Sequence, residues 1–162
     1  MLQGDALFSD QHDHRICVSD ALKKAELTCA ERGLRLTAIR RRVLELLWAH
    51  HRPTKAYDLL ATISSERHGA APPTVYRALD FLLEAGLVHK IESQNAFIGC
   101  AVDHGREPPK FLICRGCGRT AEIRSSEIDM AISSEAASSG FSVDHQTIEV
   151  EGLCQACSPT KL

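Results

Sequence analysis

The run Pro72-Pro73-Thr74-Val75-Tyr76-Arg77-Ala78-Leu79-Asp80 decides how the first half of this 162-residue chain folds. Proline is favoured in the first turn of a helix, so the run predicts a helix that begins at Pro72 and ends at Gly86. Three apolar residues recur at helical spacing and are expected to face a core, namely Val75, Ala78 and Leu79. The other face then presents Thr74, Tyr76, Arg77 and Asp80 to solvent.

These exposed side chains suit the second helix of a helix-turn-helix, whose N-terminal residues lie near bases and phosphates in the DNA major groove. The guanidinium of Arg77 can bind guanine or phosphate, and the hydroxyls of Thr74 and Tyr76 can bind phosphate oxygens. An ordinary amphipathic helix with solvated side chains shows the same pattern. The run alone therefore leaves both interpretations open.

Further helices are predicted upstream of this run and a hairpin downstream. The predicted segments are helices over residues 19–33, 37–50 and 55–66 and β-type runs over residues 87–91 and 96–99. Ser19 and Thr37 are expected to begin the first two helices, and Tyr57 is expected among the buried residues of the third. Helices followed by a hairpin are the order of a winged helix-turn-helix.

Beyond the polar segment 103–109 the periodicity changes. Residues 110–114 and 120–124 are β-like, residues 126–139 are helical, and residues 141–151 alternate as a strand. This order predicts a small α+β domain. The predicted fold class is therefore α+β, with an N-terminal winged helix-turn-helix domain followed by a small α+β domain.

The formal charge of −2 is unevenly distributed along the chain. Residues 19–90 carry 12 basic and 8 acidic side chains, whereas residues 91–162 carry 6 and 10. Such an asymmetry is expected when only one domain meets a polyanion, although chance variation between two surfaces produces it too. The chain shows no secretory signal and no run of about 18 apolar residues, which predicts a cytoplasmic protein without a membrane segment.

Four of the seven cysteines form two Cys-x-x-Cys pairs, Cys114 with Cys117 and Cys154 with Cys157. An odd number of cysteines is not a closed disulfide set, and such pairs are typical of metal-binding thiolates in a reducing compartment. Four thiolates complete a zinc tetrahedron without an open position, which predicts a structural ion. A redox dithiol is the alternative, but the βαβ pattern typical of that site is absent.

With these motifs the chain resembles the ferric uptake regulator superfamily, and within it the zinc uptake regulator branch most. The resemblance is carried by the quoted run, by Ala56-Tyr57-Asp58-Leu59-Leu60, by Gly86-Leu87-Val88-His89-Lys90 and by the two Cys-x-x-Cys pairs. It implies a homodimeric, metal-dependent transcriptional repressor. The implied organisation is a flexible extension (1–18), a winged-helix DNA-binding domain (19–101), a hinge loop (102–109), a dimerisation domain (110–158) and a tail (159–162).

The resemblance also implies a second, regulatory zinc at the hinge between the domains. Matching motif to motif gives its ligands as His89, Cys100, His104 and Glu122. The soft sulfur in this set argues against magnesium or calcium. The DNA contacts that the resemblance implies are Tyr57, Thr74, Tyr76 and Arg77.

The function that the resemblance implies is a zinc-responsive repressor of zinc-uptake genes, which binds operator DNA as a homodimer with two zinc ions per chain. Residues 105–110 lack the dense histidine run associated with the iron-sensing branch, which favours zinc. A sensor of iron, manganese or peroxide on the same scaffold is the alternative. A zinc- or thiol-dependent enzyme is a distant alternative, because the sequence contains no His-Glu-x-x-His, nucleophile elbow or phosphate loop.

Overall fold

A computed structural model of the chain describes residues 14–50, 52–66, 71–100 and 108–158. These residues fall into two compact units. The helical unit comprises the described residues between 14 and 100, and the sheet unit comprises residues 108–158. His104, most of the predicted N-terminal extension and the tail 159–162 lie outside the described residues.

The helical unit has the predicted order of helices and strands. Its elements are α1 (His14–Glu31), α2 (Ala38–Trp48), α3 (Ala56–Glu66), α4 (Pro72–Glu84), β1 (Val88–Ile91) and β2 (Ala96–Gly99). The core lies between the helices, where Val43 of α2, Ile63 of α3 and Leu82 of α4 are fully buried. Among the helices that the structure describes, none combines the length and apolar character that a membrane span requires.

The first helix begins earlier than predicted. Helix α1 starts at His14, so the prediction that Ser19 begins it is wrong, and residues 14–18 belong to the helix rather than to an extension. The physical reason is that Val18 packs against the helical core, which favours continuing the helix through the exposed Ser19. The other end agrees with the prediction, because the chain leaves α1 at Gly33 with a φ of 63°.

The hairpin is joined to the helices by backbone hydrogen bonds. Strands β1 and β2 pair antiparallel with His89 opposite Ile98. Thr54, which precedes α3, exchanges two hydrogen bonds of 2.8 Å with Phe97 of β2. The hairpin is thus a wing fixed to the start of α3.

The sheet unit contains a three-stranded sheet and one helix. Its elements are β3 (Lys110–Cys114), β4 (Thr120–Ile123), α5 (Ser126–Ser138) and β5 (Ile148–Gly152). Strand β3 lies in the centre, antiparallel to β4 and parallel to β5. The predicted strand 141–151 is wrong in its first part, because only residues 148–152 pair with β3 while residues 141–147 are mostly exposed. The predicted α+β class is confirmed.

Candidate functional site

The four paired cysteines converge on one point of the sheet unit. Because β3 and β5 are parallel, their carboxyl ends meet at the same edge, and each strand is followed by a Cys-x-x-Cys turn. The Sγ atoms of Cys114, Cys117, Cys154 and Cys157 all lie within 4.8 Å of one another. The Cys117 and Cys154 sulfurs are 3.9 Å apart, close to the edge of about 3.8 Å that zinc–sulfur bonds of about 2.3 Å give a tetrahedron.

The electrostatics of this cluster favour a bound cation. Burial by itself raises the pKa of Cys114, but hydrogen bonds from the backbone of Cys154 and Cys117 outweigh it and lower the pKa to about 6. The backbone N–H of Cys154 donates to the Cys114 sulfur over 3.2 Å. In contrast, the neighbouring Cys154 thiol, burial and the Cys114 charge raise the pKa of Cys157 to about 12. A divalent cation supplies the positive charge that allows all four groups to be thiolates.

Gly116, inside the first Cys-x-x-Cys turn, belongs to the cluster although no sequence prediction included it. A Cβ at this position would lie 2.8 Å from the Cβ of Cys157 and 2.9 Å from its Sγ. Both distances are shorter than a real Cβ contact, so a larger residue would push the two turns apart. The sequence shows a glycine between two cysteine ligands. Its steric role could not be predicted locally, because it depends on how close the second Cys-x-x-Cys turn lies.

Two predicted regulatory ligands lie on one face of the wing. His89 of β1 is opposite Ile98, and the N–H of Cys100 donates to the carbonyl of Leu87 over 3.0 Å, which extends the ladder past β2. Side chains alternate along a strand, so His89 and Cys100 project from the same face. A ring nitrogen of His89 and the buried Sγ of Cys100 lie within 4.8 Å of one another.

Of the other two predicted regulatory ligands, the structure describes only Glu122. Glu122 lies on β4 of the sheet unit, opposite Phe111 of β3, with a half-buried side chain. His104 falls outside the described residues. The nitrogen and sulfur donors of His89 and Cys100 fit zinc, which binds imidazole and thiolate well.

Cys29 is a residue of the helical core and lies apart from both groups of proposed metal ligands. Its side chain is 2% exposed inside the helical core. Burial raises the pKa of its thiol despite the opposing charges of Arg32 and Arg40. The thiol therefore stays protonated at neutral pH, unlike a metal ligand.

Helix α4 presents the predicted polar face. Val75, Ala78 and Leu79 are buried, whereas Thr74, Tyr76 and Arg77 are exposed at the first two turns. The helix begins with Pro72 and Pro73, which have no backbone N–H, and the N–H of Thr74 donates to the Ala71 carbonyl over 2.9 Å, so side chains rather than backbone donors are available at this helix start. Within the part of the chain that the structure describes, the Arg77 side chain has no ion pair or hydrogen bond.

Tyr57 lies on the surface, so the prediction that it is buried is wrong. Helix α3 turns Ala56, Leu59 and Ile63 toward the core, and this spacing leaves Tyr57 on the outer face with 76% of its surface exposed. An exposed tyrosine in the first turn of a helix can donate its hydroxyl to a phosphate.

Part of the positive charge of the helical unit is used inside the fold. Arg41 pairs with Glu26 of α1, and Arg42 donates to Glu66 of α3 over 2.8 Å. These pairs connect α2 to the helices on both sides. The charge excess seen in the sequence is therefore only partly available for binding a polyanion.

The remaining arginine of α2, Arg40, contacts helix α4. The Arg40 guanidinium lies 3.5 Å from the centre of the Phe81 ring on α4. This stacking is attractive because a cation faces the negative face of an aromatic ring. It fixes the C-terminal half of α4, about one turn beyond the exposed Arg77.

A winged helix-turn-helix followed by a unit whose four-thiol cluster can hold a metal ion defines the class of metal-binding transcription regulators. The model of the ferric uptake regulator family matches residues 31–151. The chain belongs to the ferric uptake regulator family, as its motifs predicted. This is a family of transcription regulators and not of enzymes.

Individual relatives extend over most of the chain. The zinc uptake regulation protein of Escherichia coli (strain K12) is 42% identical over 139 residues, which are 85% of this chain and 81% of that protein. A solved structure of a zinc uptake regulator complexed with zinc and DNA is 41% identical, with a TM-score of 0.81 over 86% of this chain and 94% of its own. The holo form of XcZur is 43% identical, with a TM-score of 0.77 over 85% of this chain and 96% of its own.

Proposed function

We propose that this protein is a zinc-responsive transcriptional repressor in the cytoplasm, which binds operator DNA as a zinc-loaded homodimer and controls zinc-uptake genes. The observation that carries the proposal is its 42% identity, over 85% of the chain, to a zinc uptake regulation protein. The four-thiol cluster and the exposed polar face of α4 supply the two chemistries that this function needs.

Two zinc ions per chain are proposed, with different roles. The first is structural and is held by Cys114, Cys117, Cys154 and Cys157, whose four thiolates would fill its coordination sphere. The second is regulatory and is held by His89, Cys100, His104 and Glu122. The neighbouring donors of His89 and Cys100 on the wing support this assignment.

Zinc at the regulatory site acts as a corepressor if it binds the DNA-competent conformation more tightly than the others. The difference in zinc-binding free energy between the conformations is then the coupling free energy. Zinc raises the affinity for DNA by the same factor by which DNA raises the affinity for zinc. The wing is a suitable place for this coupling, because the ligand Cys100 directly follows β2, and β2 is hydrogen-bonded through Phe97 to Thr54, just before α3.

The proposed DNA contacts are Tyr57, Thr74, Tyr76 and Arg77, all of which are exposed on the first turns of α3 and α4. The proposed dimer uses the sheet unit. Strand β5 is an edge strand of the described sheet, and Val150 and Leu153 near it are each about half exposed. An edge strand with apolar side chains is suited to pairing with a second copy of the chain.

Replacing Cys100 by serine is expected to abolish zinc-dependent DNA binding without unfolding the protein. Serine removes the thiolate from the regulatory site and leaves the structural cysteines intact. The test titrates zinc into protein that already holds one equivalent and follows binding to DNA from a zinc-uptake promoter. Cys29→Ser is the matched control, because it also puts a hydroxyl in place of a buried thiol in the helical unit. Zinc-dependent binding that survives in Cys100→Ser would remove this residue from the switch.

Replacing Arg77 by alanine is expected to weaken operator binding by about 1–3 kcal/mol, because the variant loses a contact to a base or a phosphate. Binding is measured with the folded, zinc-loaded dimer at several salt concentrations. A phosphate contact would also lower the salt dependence by about one unit, whereas a base contact would relax the sequence preference. Arg124→Ala removes the same charge from an exposed position of the sheet unit and is the control. Equal binding by both variants would exclude Arg77 from the interface.

A further inference from the structure

The indole of Trp48 lies directly on the backbone of Gly99. A Cβ at residue 99 would be 2.3 Å from the indole Nε1 and 2.6 Å from Cε2, so no side chain fits there. Trp48 is the only tryptophan of the chain and the last residue of α2, and Gly99 is the last residue of β2. The end of α2 and the end of β2 are therefore in contact, with the Trp48 indole in the space that a side chain at residue 99 would occupy.

This contact holds one face of β2 while the proposed ligands occupy the other. Gly99 is opposite Val88, which is buried in the helical core, so residue 99 faces the helices. Cys100 follows on the opposite face, together with His89. Trp48 itself is half-buried and packs against the helical core. The contact between the indole and Gly99 therefore restricts the position of the next residue, Cys100.

We propose that Trp48 is a positioning residue for the zinc pair His89 and Cys100. It packs the end of β2 against α2, so that the Cys100 sulfur lies beside the His89 ring already in the zinc-free site. This inference rests on the proposed regulatory site. Groups that orient metal ligands typically change metal affinity about 10- to 100-fold when they are mutated, because they fix the direction in which the donor atom points.

The test measures regulatory zinc affinity by chelator competition in full-length protein that holds its structural zinc. Gly99→Ala is expected to weaken affinity about 10- to 100-fold, because the added methyl group displaces the strand end from the indole. Adding Trp48→Leu to Gly99→Ala is expected to recover part of this loss, since the smaller side chain makes room for the methyl group. Ala30→Ser on α1 is the control, because it also adds one heavy atom to the helical unit but at an exposed position, and it should leave affinity unchanged.

Trp48 also provides a spectroscopic readout. Its emission is expected to change when the second zinc equivalent is added to the wild-type protein, and to stay constant in Cys100→Ser. If Gly99→Ala does not fold, the zinc affinity of the single variant Trp48→Leu is the deciding measurement. This variant removes the indole contact with Gly99 without adding atoms and is expected to weaken zinc affinity. Unchanged zinc affinity in the folded variants overturns the role of Trp48 and leaves the regulatory site standing. Failure of the wild-type protein to bind a second zinc overturns both proposals.

Discussion

Replacing Cys114 by serine is expected to release the structural zinc and to unfold the sheet unit. The unit has a small core, in which Phe111 and Ile113 are the large buried apolar side chains, and small domains of this kind depend on metals or disulfides for stability. Structural zinc sites contribute about 10–16 kcal/mol of binding free energy, far more than a marginal domain has in reserve. The helical unit has its own core and should keep its helices.

The measurement combines metal content with hydrogen exchange on the full-length variant. Loss of one zinc per chain should coincide with fast exchange of the amides in β3 and β5, while the amides of α2 and α4 stay protected. Cys17→Ser is the control, because it changes a half-buried thiol of α1 outside the cluster. A Cys114→Ser protein that retains slow exchange in β3 would show that the sheet unit does not depend on the four-thiol centre.

Sequence patterns predicted the inward and outward faces of α4 correctly. That prediction needed only helical periodicity, because Val75, Ala78 and Leu79 repeat at the spacing of one face. Tyr57 was assigned to the wrong face because an aromatic residue between apolar ones looks buried until the phase of the helix is known. The phase of α3 is set by Ala56, Leu59 and Ile63, which pack against the other helices.

The four-thiol centre could be predicted as a ligand set but not as a geometry. What brings the two Cys-x-x-Cys turns together is the parallel pairing of β3 with β5, a contact between residues far apart in sequence. The same pairing explains why the strand predicted from residue 141 begins only at Ile148, where β3 offers hydrogen-bonding partners. The close approach that excludes a side chain at Gly116 follows from that pairing and is invisible in a local pattern.

The most deeply buried charge of the sheet unit was also beyond sequence patterns. Lys110 is 1% exposed, and its ammonium donates to the Asp129 carboxylate over 2.7 Å and to the Pro108 carbonyl over 3.2 Å. The second oxygen of Asp129 accepts a hydrogen bond of 3.1 Å from Gln146. Helix α5 has no fully buried side chain, so this network is a principal attachment of the helix to the sheet.

Replacing Lys110 by methionine is expected to destabilise the zinc-loaded protein by about 3 kcal/mol, because the Asp129 carboxylate loses its cation in a partly buried site. Asp129→Leu should cost more, about 3–5 kcal/mol, since it leaves an ammonium unpaired where almost no water reaches it. The double variant should lie close to the wild-type protein, because two apolar side chains of similar volume avoid the desolvation penalty of the ion pair. Urea unfolding followed by circular dichroism measures all three, with Glu127→Gln as an exposed control from the same turn of α5. If the two single losses simply add in the double variant, Lys110 and Asp129 stabilise the unit independently, and α5 is attached to the sheet by other contacts.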